Sequence, residues 1–142
     1  MSADRVFVDT NVLVYAHDTE AGYRHRRAAD MIAELWGTRT GILSVQVLQE
    51  FYVNVTRKIP EPLPMATARE VVRNYTLWQT EWILPKDVTR ASEIEQENSI
   101  SFWDALIVTA AVKGGASRIL SEDLNPGQII AGIQIEDPFA VP

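Results

Sequence analysis

The chain contains no cysteine among its 142 residues. That excludes disulfides and thiolate metal sites, and it fits a reducing, cytoplasmic setting. There are only two histidines, His17 and His25, and no His cluster of the kind that holds zinc or copper. Positive charge is scarce: 13 Lys and Arg against 19 Asp and Glu give a formal net charge of −6. Indiscriminate binding to polyanions relies on a basic surface, so that balance argues against it. It leaves room for a nucleic-acid substrate at a local acidic site that carries a cation. No apolar run approaches the roughly 20 residues of a membrane span. The opening MSADRVFVDT lacks the signal-peptide pattern and enters a strand at once. Internal repeats, low-complexity tracts and disordered tails are missing as well.

What is present is ordinary for a globular chain: 46% hydrophobic and 23% charged residues. The expectation is one domain spanning 1–142, burying roughly 68–70% of its unfolded surface. Short β-branched runs alternate with segments of helical period, the pattern of βαβ units and a parallel sheet. Strands are predicted at 5–9, 41–44, 82–84, 118–121 and 133–135. Helices are predicted near 11–17, 23–36, 45–58, 65–79, 87–98 and 102–113. Within 65–79, Met65, Ala68, Val71, Val72, Tyr75 and Trp78 recur at spacings of three and four, an apolar face. Segment 102–113, FWDALIVTAAVK, is apolar nearly all round and is closed by Gly114-Gly115. IPEPLP at 59–64 is a stiff connector between helices, and Asn125-Pro126-Gly127 a tight turn. Trp36, Trp78 and Trp82 read as core or interface, and Phe102 and Trp103 as core before base stacking. The basic groups Arg24, Arg26 and Arg27, and Arg57 and Lys58, read first as solvated helix faces.

RVFVDTNVLVYA poses the central problem: Asp9, Thr10 and Asn11 interrupt an apolar run. An unpaired buried carboxylate costs several kcal/mol, so Asp9 needs donors, a cation or water. In a right-handed parallel α/β sheet, strand C-termini and the following helix N-termini share one edge, where ligands bind. Asp9 ends the first strand, and Glu50 lies in the second turn of the helix after the second. Asp104 opens the buried helix, and Asp123 follows the fourth strand in ILSED. All four are expected on one edge. Each also has a plainer reading. Asp9 or Thr10 can cap the first helix, Glu50 can be a surface residue, Ser101 and Asp104 can form a capping box, and Glu122 competes with Asp123. Taken together, clustered carboxylates oppose one another's ionisation unless a cation joins them. Oxygen-only ligands suit Mg²⁺ or Mn²⁺, one ion or two, able to activate water against a phosphodiester. His17, at the end of the first helix, and His25, among arginines, are weak candidates for a general base.

VDTNVLVYA, Glu50 in LQEFYV, SFWDALIVTAA, LSEDL and the closing DPF at 137–139 resemble the PIN domain across essentially the whole chain. Within that superfamily the pattern is most similar to the VapC-type toxins of toxin–antitoxin pairs. The resemblance implies a three-layer α/β/α sandwich with a central parallel sheet of four or five strands. It implies a Mg²⁺- or Mn²⁺-dependent endoribonuclease whose acidic set falls on Asp9, Glu50, Asp104 and Asp123. Thr10, Asn11 and Ser101 then support substrate or acids. It further implies a homodimer, its surface placed on helices 23–36 and 65–79, and a small antitoxin. Other classes read less well. A dehalogenase-type phosphatase needs an acid where Asn11 stands. A receiver domain needs a late Lys that is missing, and an inactive PIN-fold binding module would not need all four acids.

Overall fold

The computed structural model describes residues 4–140; residues 1–3 and 141–142, at the ends of the expected domain, lie outside them. The elements run β1 (Val6–Val8), α1 (Thr10–Tyr15), α2 (Tyr23–Thr38), β2 (Gly41–Ser44), α3 (Val45–Arg57) and α4 (Met65–Tyr75). They continue through β3 (Gln79–Glu81), α5 (Pro85–Asn98), α6 (Phe102–Lys113), β4 (Arg118–Leu120), β5 (Ile129–Ile130) and β6 (Ile133–Glu136). The sheet order is β3-β2-β1-β4-β6-β5. All neighbouring pairs are parallel except β5 with β6.

Right-handed crossovers from β1 out to β3 carry α1–α4 over one face, and the return from β3 to β4 carries α5 and α6 over the other. The packing agrees: α1 lies on α2 and α3, α3 on α4, and α5 on α6, with both α3 and α6 against β2. This is the expected mixed α/β architecture. Strand order reverses at β1, whose two neighbours β2 and β4 feed opposite faces, so a crevice opens at its C-terminal end.

Phe7, Val8, Leu13, Ile42, Leu43, Phe51, Ile119 and Ile135 are fully buried between sheet and helices. Helix α6 is buried from Ala105 to Ala111 without a polar face, because it crosses β2 and β3 while α5 covers its back. It ends, as expected, at Gly114-Gly115, where Gly115 adopts φ +76°.

Four expectations need correction. The third strand is the polar Gln79–Glu81 rather than 82–84. As an edge strand it pairs only with β2, stays half-buried and needs no apolar face. Trp82 (67% exposed) and Leu84 then lie outside the core. Helix α4 stops at Tyr75 rather than 79, and Trp78 is buried from the turn that follows. Met65, at its start, is exposed. A sixth strand, β5, joins β6 through Ala131-Gly132, both at positive φ as a two-residue hairpin turn requires. Finally, Trp103 is 66% exposed rather than core.

Candidate active site

Asp9 follows β1 and is the N-cap of α1, with extended backbone (φ −71°, ψ 157°). The residue is only 6% exposed. Oδ1 accepts from the Thr10 backbone N–H at 2.7 Å, and Oδ2 accepts from the Ser121 hydroxyl at 2.8 Å. Its carboxyl is pushed up to about 6, by burial first and then by the charges of Asp123 and Asp104, against the pull of the two donors. One side chain therefore both caps α1 and faces the carboxylates of Asp104 and Asp123. The cap alone leaves the neighbouring carboxylates unexplained.

The Thr10 hydroxyl donates to Glu50 Oε1 at 2.9 Å, and Asn11 Nδ2 donates to Asp123 Oδ2 at 2.8 Å. The three polar residues that break the first apolar run thus reach one acid each: Asp9 is itself one, Thr10 holds Glu50 and Asn11 holds Asp123. Glu50 rides on α3, which Ser44 caps by accepting from the Val47 N–H at 3.2 Å. Ser101 Oγ accepts from the Asp104 N–H at 3.0 Å, so Ser101 starts α6 and places Asp104 in its first turn. Asp123 is held in the loop after β4 by Ser121 Oγ, which accepts from its N–H at 3.1 Å. Its carboxyl is raised, by desolvation first and then by the charges of Asp104 and Glu122, while the Asn11 bond lowers it.

Asp9, Glu50, Asp104 and Asp123 line a single cavity of about 130 Å³, together with Thr10 and Asn11. Glu122 does not line it. Its two oxygens accept from the Tyr15 hydroxyl at 2.8 Å and from Arg24 Nε at 3.0 Å, which turns it away along α1 and α2. His17 and His25 stand elsewhere: His17 Nε2 meets the Tyr75 hydroxyl at 2.6 Å, and His25 Nδ1 the Tyr15 carbonyl at 2.9 Å.

The sequence reading missed Ser121, which serves Asp9 and the Asp123 loop at once. Its signal was a hydroxyl two residues ahead of an acid at a strand end, a local turn-forming arrangement. It also missed Gln46 and Asn54, which line the cavity from α3 at four-residue spacing on either side of Glu50.

The donor set is oxygen only, and its acids oppose one another's ionisation, which a divalent cation would relieve. Among the described residues, no three His, Cys, Asp or Glu side chains are gathered tightly enough to hold an ion alone. Mg²⁺ is usually held by one or two carboxylates, its own waters and substrate phosphate. The cavity fits that looser mode.

The model of the PIN domain family matches residues 6–129. No curated protein sequence matches the chain. Among solved structures, the chain is similar to VapC20 of Mycobacterium tuberculosis, a toxin that cleaves the sarcin–ricin loop. That match has 23% identity, 83% of this chain and 91% of the other covered, and a TM-score of 0.62. It is similar to a toxin–antitoxin complex from Klebsiella pneumoniae at 16% identity, with 96% and 99% covered and a TM-score of 0.71. A third likeness is to the DNA-bound VapBC of Salmonella typhimurium, at 17% identity, 96% and 99% coverage and a TM-score of 0.65.

Proposed function

Because the chain belongs to the PIN domain family, we propose that it is a divalent-cation-dependent endoribonuclease and the toxin of a toxin–antitoxin pair. The observation that carries this reading is the convergence of Asp9, Glu50, Asp104 and Asp123, from four separate stretches of chain, on one cavity. When bound, Mg²⁺ or Mn²⁺ supplies a water of lowered pKa and positive charge against a phosphodiester in its transition state. Asp9, Asp104 and Asp123 would hold it. Glu50 is fixed through Oε1 by the Thr10 hydroxyl, which leaves Oε2 to take a proton from a water at the cavity mouth. Ser121 and the Thr10 N–H keep both Asp9 oxygens oriented before any substrate arrives. Asn11 does the same for Asp123, and it occupies the place where a dehalogenase-type phosphatase needs an acid.

The toxin assignment is supported by the similar solved structures, two of which are toxin–antitoxin assemblies. It carries with it a small antitoxin protein and a homodimer, for which α2 and α4 supply the proposed surface. The test is incubation of purified protein with RNA and with DNA in Mg²⁺, Mn²⁺ or EDTA. Cation-dependent cuts in RNA, lost in EDTA and in Asp104→Asn, are expected. Cleavage that persists in EDTA, or release of phosphate from a small ester without RNA cleavage, would refute the reading.

A further inference from the structure

The ribonuclease reading leaves one feature of the cavity unused. Trp103 lines the same cavity as the four acids yet is 66% exposed, on a helix whose core-facing run begins two residues later and stays buried from Ala105 to Ala111. Its ring is braced from one side by Phe102, edge to face at a centroid separation of 5.6 Å and an interplanar angle of 74°. Phe102 itself packs against the core. Gln46 Nε2 reaches the Trp103 carbonyl across the cavity at 3.5 Å. The indole is therefore held at the rim beside Phe102, with most of its surface left to solvent.

On the other side of Glu50, the polar side of α3 continues through Asn54 to Lys58, and these three residues share a second concavity of about 300 Å³. Glu50 and Lys58 are eight residues apart, about 12 Å along the helix axis. Among the described residues, no carboxylate lies within ion-pair distance of Lys58, nor of the adjacent Arg57, and of the two Lys58 is the one that lines this concavity.

Building on the ribonuclease reading, we propose that Trp103 is a stacking platform for an unpaired base beside the scissile phosphate, and that Lys58 takes a phosphate farther along the same strand. The strand is then laid from Trp103 across the acids and along α3. A π-face presented at the rim of a narrow acidic cavity meets a flipped base and not a paired one. The phosphate beside the four carboxylates is the divalent cation's to offset, and Lys58, in the adjoining concavity, is placed to meet a phosphate farther along the strand. Trp103 is a positioning residue: it holds the strand and takes no part in the bond that breaks.

The experiment pairs two readouts. Short single-stranded RNA carrying 2-aminopurine is titrated into Asp104→Asn protein, with Trp103→Ala, Trp103→Phe and Lys58→Ala added to that background. Cleavage by the single variants Trp103→Ala, Trp103→Phe and Lys58→Ala is measured in parallel. Trp103→Ala is expected to weaken binding and raise KM about five- to a hundredfold, the range that loss of one base–aromatic stack produces. Its kcat should stay near that of the parent, and Trp103→Phe should restore most of the affinity. Lys58→Ala should weaken binding to all sequences alike and flatten the salt dependence by about 0.7 in slope. If the parent cleaves RNA while Trp103→Ala keeps its KM and its 2-aminopurine quenching, the platform is refuted and the nuclease reading stands. If the parent cleaves nothing but the binding loss and its rescue by Phe are seen, the platform stands and the hydrolytic reading falls. If Trp103→Ala binds RNA unchanged but loses self-association, Trp103 is a protein contact and the platform is refuted.

Discussion

Asp9 shows how much chemistry a single position carries: a strand end, a helix cap and a buried carboxylate at once. Its burial is tolerable because two donors reach it, and burial, with the charges of Asp123 and Asp104, raises its carboxyl to about 6. Asp9→Asn keeps the size and most of the cap. It should lower RNA cleavage by about a hundredfold or more while leaving the far-UV circular dichroism spectrum unchanged; undiminished cleavage would remove Asp9 from the site. That these four acids share one cavity was legible in the sequence, since Asp9 and Asp123 follow strands and Asp104 and Glu50 lie in the first two turns of helices on one predictable edge. Choosing Asp123 over Glu122 could not be done there. Adjacent residues on a loop diverge by side-chain partners, and Tyr15 and Arg24 claim Glu122. Trp103 escaped for a related reason: an aromatic on an apolar helix reads as core, and only its place one residue ahead of Asp104, at the helix mouth, leaves it outside.

At the level of elements, most boundaries were legible because periodicity and caps agree, as in α3 behind Ser44 and α6 between Ser101 and Gly115. The misplaced third strand shows where that logic runs out. Apolar content identifies buried strands, whereas an edge strand is selected by backbone pairing, which leaves polar Gln-Thr-Glu free to fill it. The turn before it has its own requirement. A Cβ on Gly41 would lie 2.3 Å from the Trp78 ring, so β2 begins with glycine to let the buried indole cross it. Gly41→Ala should destabilise the fold by about 1–3 kcal/mol, the usual penalty for overpacking, seen as a lower urea midpoint with an unchanged slope. A stability equal to the parent's would contradict the packing described. His17 joins α1 to α4 through the Tyr75 hydroxyl and packs edge-on against Phe51. Burial lowers its pKa below the usual histidine range, so the unfolded chain takes up the proton first. The stability this provides is present above about pH 6.5 and is lost as pH falls from there through the lower folded value. Thermal midpoints should therefore drop more steeply between pH 7 and 5.5 in the parent than in His17→Gln. Parallel curves would show that the ring titrates as it does in water.

For the molecule as a whole, the proposed RNA substrate meets a formal charge of −6, of which four acids gather in one cavity at the switch point beside β1, where a bound cation would offset them. No helix among the described residues is long and apolar enough to cross a membrane. The sheet order that makes this site was legible only as a class, because alternating strands and helices specify a parallel α/β fold but not which strand lies in the middle. β1 takes the centre through pairing with both β2 and β4, and that places Asp9 at the crevice. The most direct test of the central claim is a Mn²⁺ titration monitored by electron paramagnetic resonance, in the parent and in Asp9→Asn, Asp104→Asn and Asp123→Asn. One or two ions bound by the parent, with affinity falling at least about tenfold in each variant, is the predicted result. Equal Mn²⁺ binding by all four proteins would contradict it.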